Sequence, residues 1–202
     1  MKLYYYPGAC SLAVHIILQE TGLPFVLERV DLANHETEQG GDYYRINPKG
    51  SVPTLELDDG TLLTEGPVIN QYLCDLAGRI DLMPEAGSMP RYRVMEWQNY
   101  ITSELHKTAG ALFNPELVAE ARDQFAGAVT QKFGWVSQQL KDRPYLTGTG
   151  FTAADAYLFV IAGWAPHLGL DLSACVELRD FLKRVAARPA VQAALKAEGL
   201  AS

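Results

Sequence analysis

The chain has 202 residues, enough for one large core or two small domains. Charged residues make up 20% and hydrophobic residues 48%, an ordinary globular composition that excludes a disordered chain. The net charge of -7 argues against broad nucleic-acid binding, and no apolar run approaches the length of a membrane span.

Leu3 to Tyr6 is apolar and aromatic, as a strand requires, and Pro7-Gly8 ends it. Ser11 to Thr21 reads as a short amphipathic helix, with Leu12, Ile16 and Ile17 on one side and Gly22 as its stop. Phe25 to Asp31 alternates as a second strand, and Ala33 to Asn47 reads as loop with a short helix. Val52 to Leu57 and Thr61 to Thr64 are strands joined by the turn Asp58-Asp59-Gly60. Gly66-Pro67 then opens a helix to about Ala77. The order βαβαββα predicts an α/β domain over 1–78 with a mixed four-stranded sheet and a right-handed crossover. Residues 79–88, with Pro84 and Gly87, read as a linker. From 89 to 202 the strand signal disappears. Helical patterns cover Arg91 to His106, Glu116 to Leu140, the nearly all-apolar Ala153 to Pro166, Leu178 to Arg188 and Ala190 to Glu198. An all-helical second domain is expected.

Cys10 sits where the first strand gives way to the first helix. Free backbone N–H groups and the helix dipole stabilise a thiolate at such a position. A small buried hydrophobe is the other reading of the same residue. No second cysteine follows within the motif, so thiol chemistry there needs a second thiol from another molecule. Cys74 and Cys175 read as packing residues. Three widely spaced cysteines do not describe a secreted disulfide framework, and the N-terminus lacks the apolar core of a signal peptide. A reducing cytoplasm is the expected compartment.

Val52-Pro53 is either an ordinary trans proline at a strand start or a cis bond that turns the Val52 backbone outward to pair with a peptide-like ligand. Thr64-Glu65-Gly66 precedes a helix. Its N–H groups suit a carboxylate and Glu65 suits an ammonium, the two poles of an amino-acid end. An acidic residue and a glycine also begin many helices with no ligand. Thr152-Ala153-Ala154-Asp155 is a capping box for the buried helix, with a folding role. His15, His35, His106 and His167 show no metal-ligand spacing. Asn99, Ser103 and His106, spaced by four and three, share one face of an α-helix.

Taken in order, these segments resemble the glutathione transferase family, and its bacterial beta class in particular. The residues that carry the resemblance are Lys2 to Leu12, Asn47 to Pro53, Leu63 to Pro67, Ser103 to Lys107 and Thr152 to Phe159. The resemblance implies a thioredoxin-like N-terminal domain, an all-α C-terminal domain, a homodimer, and glutathione as co-substrate in a cleft between the domains, with no permanently bound cofactor. It implies that Cys10 can form a mixed disulfide with glutathione, with His106 a hydrogen-bond partner for the sulfur. By the same resemblance Val52 and Pro53 meet the cysteinyl part, Glu65 and Gly66 hold the γ-glutamyl end, and Asn99, Ser103 and Glu104 line the site from the helical domain. Tyr5, Tyr157, Trp164 and His167 fall near the hydrophobic-substrate pocket. Where the class commonly has lysine this chain has His35, which is either a pH-dependent contact to the glycine carboxylate of glutathione or a solvated loop histidine with no role in binding. Ser51 replaces a commonly larger amide.

Three functions follow as expectations. One is conjugation of glutathione to small hydrophobic electrophiles, a detoxification chemistry. The second is glutathione-dependent thiol–disulfide exchange through Cys10. The third is a non-enzymatic binding module, since fold does not fix function.

Overall fold

The structure is a computed structural model that describes residues 1–201. The chain divides into two compact units. One holds Met1–Ile80 and the segment from Arg188 onward, and the other holds Asp81–Ala187.

The first unit is built on β1 (Lys2–Tyr5), α1 (Ser11–Thr21), β2 (Val26–Asp31), β3 (Glu36–Thr37), β4 (Thr54–Glu56), β5 (Leu62–Thr64) and α2 (Gly66–Leu76). The sheet order is β3-β2-β1-β4-β5. β1 runs parallel to β2, with Leu3 opposite Leu27, and antiparallel to β4, with Leu3 opposite Leu55. The expected four-stranded sheet therefore has a fifth strand. β3 pairs Thr37 with Val30 at the edge of β2. Two residues are too few to show alternation, and this stretch of sequence is polar, which is why it read as loop. Leu3, Val30 and Leu55 are fully buried in the sheet core. α1 is buried along Ser11 to Leu18, so it behaves as an interior helix and not as a half-exposed one.

The second unit is helical: α3 (Met89–Tyr100), α4 (Lys107–Ala111), α5 (Ala119–Gln139), α6 (Ala153–Gly163) and α7 (Val176–Ala186). α3 runs into α4 through a π-helical turn, Ile101–His106. α6 is the centre, with Ala153 to Leu158 and Val160 to Ala162 buried. Its entry is held as the sequence predicts. Asp155 is fully buried and its Oδ2 accepts from the Thr152 N–H and hydroxyl, both at 2.8 Å, while Oδ1 accepts from the Leu146 N–H at 2.8 Å. Asp155→Ala strips the acceptor from three donors at a buried helix end. Thermal or urea unfolding should show a loss of roughly 2–4 kcal/mol, more than an exposed cap costs.

After α7, α8 (Pro189–Ala197) packs against α1 in the first unit. The sequence pattern groups 189–197 with the other C-terminal helices, because periodicity reports a helix and not its partner. The reason for its placement lies just beyond it. Glu198 is fully buried, its Oε1 lies 2.8 Å from Nδ1 of His15, and its Oε2 accepts from the Gly8 N–H at 2.9 Å. Arg188 binds Glu20 at 2.7 Å at the other end of the helix. No helix among the described residues is long and apolar enough to cross a membrane.

Candidate functional site

In the first unit, Cys10 occupies the position before the first residue of α1, with helical backbone angles. The loop leading to it is tied at both ends: the Tyr6 N–H donates to Ser11 Oγ, and that hydroxyl donates back to the Tyr6 carbonyl, each at 3.2 Å. The Cys10 thiol is half-buried and donates to the Val52 carbonyl at 3.2 Å. Burial pushes the thiol up to about 12, the Cys10 and Ser11 N–H groups pull the other way, and the nearby Glu65 adds to the rise. Of the two readings of Cys10, this environment favours the buried neutral thiol over the thiolate. The helix end acts in the expected direction, but desolvation is the larger effect.

Val52 is presented by a braced loop. Buried Asn47 donates to the Ser51 carbonyl at 2.7 Å and to Thr54 Oγ1 at 3.1 Å. The Tyr43 hydroxyl donates to the Ser51 carbonyl at 2.9 Å and lies 2.8 Å from Thr54 Oγ1. The Val52–Pro53 bond is cis, the rarer of the two readings. The Val52 N–H has no hydrogen-bond partner among the described residues.

Glu65 stands at φ 70°, ψ 105°, a conformation that non-glycine residues adopt rarely and chiefly where surrounding structure holds it. Its own N–H and that of Gly66, which begins α2, also lack partners among the described residues. Two adjacent free N–H groups at a helix start are donors of the kind an anion can use. A methyl at Gly66 would sit 3.7 Å from Pro53 and 3.8 Å from Val14, ordinary contact, so the chain's own packing does not require glycine there. The Glu65 carboxylate is 63% exposed and pairs through Oε1 with Lys49 Nζ at 2.5 Å. The Cys10 thiol, the Val52 backbone, and the Glu65-Gly66 corner behind Pro53 therefore form one continuous face.

His35 lies at the border of this unit's loops. Its ring stacks on Tyr44 with centroids 4.3 Å apart, and its Nδ1 is covered without a hydrogen-bond partner. Gly50, at φ 64°, lies against both rings, and a methyl there would fall 2.7 Å from Tyr44 and 3.0 Å from His35.

The second unit gathers an aromatic cluster. His106 Nδ1 is 2.6 Å from the Tyr157 hydroxyl, and the His106 and Trp164 rings meet edge-on at 5.1 Å. Phe113, 51% exposed, packs edge-on to Trp164 at 5.3 Å. Ser103 donates to the Asn99 carbonyl at 3.1 Å. The face-sharing spacing of Asn99, Ser103 and His106 assumed a regular α-helix. The π-helical turn widens the helix between them, so that spacing does not carry through unchanged.

Residues 8–76 match the family model for the glutathione S-transferase N-terminal domain, and 119–197 match that for the glutathione S-transferase C-terminal domain. Glutathione S-transferase GstA of Escherichia coli O157:H7 is 48% identical over 200 residues, 99% of this chain and 100% of the relative. The chain belongs to the glutathione S-transferase family. A bacterial beta class glutathione S-transferase of Sphingomonas chungbukensis is 44% identical with a TM-score of 0.96, each chain covered fully. A sphingomonad glutathione S-transferase solved in complex with glutathione is also 44% identical, with a TM-score of 0.95 and full coverage of both chains. The thioredoxin-like domain of this family is the sheet-containing part of the first unit, and the helical domain takes in the second unit together with α8.

For a glutathione S-transferase, the sequence-derived site residues fall into two groups. Cys10, Val52, Pro53, Glu65 and Gly66 are brought together in the first unit. His106, Tyr157 and Trp164 are brought together in the second, with Asn99 and Ser103 exposed on the same helix. Tyr5 lies elsewhere. It is buried in β1 with its ring 6.4 Å from His15. His167 is exposed in the turn after α6. The Glu104 carboxylate is taken by Lys132 at 2.8 Å, which holds it below the usual carboxylate range. Phe113, Lys49 and Lys132 were not singled out from sequence. Phe113 had a signal, an aromatic residue in the loop Leu112 to Pro115. The two lysines had none, because their partners are distant in the chain.

Proposed function

We propose that this chain is a glutathione transferase that joins the glutathione sulfur to small hydrophobic electrophiles. The observation that carries the reading is the first unit's Cys10 thiol beside Val52, with unpartnered N–H groups on Val52, Glu65 and Gly66. The γ-glutamyl carboxylate suits the Glu65-Gly66 corner, its ammonium suits the exposed Glu65 carboxylate, and the cysteinyl backbone suits the Val52 N–H. A neutral Cys10 can donate its S–H to a glutathione thiolate, and so favour that thiolate over the thiol. The glutathione proton leaves to solvent. The thiolate then attacks an electrophilic carbon, a C–S bond forms, and the leaving group departs with the electron pair of its broken bond. Exposed Phe113, backed by buried Trp164 and Tyr157, supplies an apolar surface suited to the electrophile, and His106 carries a polar group beside it. His35 is assigned to the glycine end of glutathione, and Asn99 and Ser103 to the polar border.

The same reading takes the protein as a cytoplasmic homodimer. All three cysteines are free, which suits a reducing compartment, and Leu62, Val68, Leu76 and Ile80 expose an apolar surface on the first unit.

Cys10 is also the atom through which a mixed disulfide would form, its thiolate attacking glutathione disulfide and releasing glutathione thiolate. The raised pKa makes that step slow. Steady-state assays of wild type and Cys10→Ala with chlorodinitrobenzene, and separately with a glutathione mixed disulfide, test the assignment. Cys10→Ala is expected to keep measurable conjugation, lowered about 10- to 150-fold by the loss of one hydrogen bond to a charged group, and to lose disulfide exchange. Absence of any glutathione-dependent turnover by wild type with aryl halide and epoxide acceptors would sink the conjugation reading.

A further inference from the structure

We propose that Lys132 on α5 is a positioning residue that pins the π-helical turn 101–106 and thereby sets where His106 stands in the Tyr157–Trp164 cluster. An ammonium has three donors. Those of Lys132 face three acceptors on that turn and the one after it: the Glu104 carboxylate at 2.8 Å, the Glu104 carbonyl at 3.2 Å and Thr108 Oγ1 at 3.3 Å. The Thr108 hydroxyl itself donates to the Glu104 carbonyl at 2.6 Å, which therefore receives two side-chain donors. Thr102 adds a third hydroxyl contact, to the Gln98 carbonyl at 2.8 Å.

A π turn is rare and less favourable than the α-helix around it, because it replaces i→i−4 bonds by wider i→i−5 bonds. Here the Lys107 N–H reaches the Thr102 carbonyl, five residues back. The insertion rotates every later residue relative to α3. His106 is the last residue of the turn, so its direction depends directly on whether the turn persists. Reversion to α geometry would carry its ring away from the Tyr157 hydroxyl and the Trp164 edge.

As a plain ion pair the Lys132–Glu104 contact explains little, because exposed pairs contribute only about 0–1 kcal/mol. The side chains are 29% and 45% exposed. The backbone carbonyl is the informative partner. A carbonyl held by a cation from a separate helix fixes the local path of the chain, and an ion pair with the carboxylate alone does not. Hydroxyl contacts to carbonyls four residues back also bend helices, and three of them fall between Thr102 and Thr108.

The kinetic consequence rests on the transferase reading; the structural one does not, and the test separates them. The ring-proton signals of His106 are identified by their loss in His106→Gln and report its position against the Trp164 ring. Lys132→Met, which keeps the aliphatic stem, should displace those signals, and Lys132→Arg should restore them. Signals unmoved in Lys132→Met would overturn the proposal. Should Lys132→Met fail to fold, Thr108→Val removes one of the three acceptors and should give a smaller displacement; no displacement there is equally fatal. In chlorodinitrobenzene assays Lys132→Met should lower kcat roughly 10- to 100-fold, the cost of about an ångström of misplacement, with the KM for glutathione nearly unchanged. In a His106→Gln background the same change should have no further effect on kcat. An equal loss in both backgrounds would show that Lys132 does not act through His106. A wild type without turnover would overturn the transferase reading and leave the spectroscopic arm to decide this one.

Discussion

Glu198→Ala is expected to destabilise the protein by about 3–5 kcal/mol, a large share of the roughly 5–15 kcal/mol that a native chain possesses. Both side chains of the His15–Glu198 pair are fully buried. Removing one leaves His15 Nδ1 without its carboxylate partner in a site lined by Tyr5 and Phe25, and removes the Glu198 oxygen that accepts from the Gly8 N–H. The His15 ring is fully buried and cannot turn to water where it stands. The loss should appear as a fall of roughly 6–20 °C in the thermal midpoint, from about 2–4 °C per kcal/mol in a chain of this size. Glu198→Gln keeps two polar atoms in the same place and should lose less than half as much. Gly8 begins the loop that delivers Cys10 to the start of α1, so the alanine variant should also expose the Cys10 loop to proteolysis before the sheet. A midpoint within about 2 °C of wild type would show that the pair contributes nothing and that α8 is held by its apolar contacts alone.

Cys10 should react with iodoacetamide about three thousand times more slowly at pH 7.5 than an unperturbed cysteine. A thiol near 12 leaves only about one molecule in thirty thousand as thiolate at that pH, whereas an ordinary thiol near 8.5 leaves about one in ten. The sign is fixed by the dominant cause. Burial disfavours the charged form, so the neutral thiol persists and reactivity climbs about ten-fold per pH unit up to at least pH 10. Peptide mapping distinguishes Cys10 from Cys74 and Cys175, which are buried more deeply. A rate that levels off below pH 8 would mean a stabilised thiolate, and would move the protein toward thiol–disulfide exchange.

The contrast between these two residues shows what a sequence can disclose. Cys10 was legible because it stands beside Pro7-Gly8 and before Leu12, Ile16 and Ile17, and local pattern places it at a strand–helix junction. Its protonation state was not legible. That state depends chiefly on burial, with a contribution from Glu65, and neither can be read from the local pattern. The cap at Thr152 and Asp155 was legible in full, because both partners lie within four residues of each other. β3 was too short to leave a period. α8 was visible as a helix, but its attachment depends on contacts nearly two hundred residues apart. The π turn was invisible, since the residues 101–106 scan as ordinary helix and what widens it includes a lysine on another helix. Glu65 and Gly66 were readable as a helix start. Their unpartnered N–H groups and the positive φ of Glu65 are properties of the fold.

The central claim is that the Val52, Glu65 and Gly66 face of the first unit holds glutathione. Calorimetric titration of glutathione into wild type and Glu65→Gln tests it most directly. Wild type should bind one glutathione per chain. Glu65→Gln should bind at least about ten-fold more weakly, as an ammonium contact loses its charge partner, with an unfolding midpoint near that of wild type. No heat of binding in wild type, or identical affinities in the two proteins, would contradict the account.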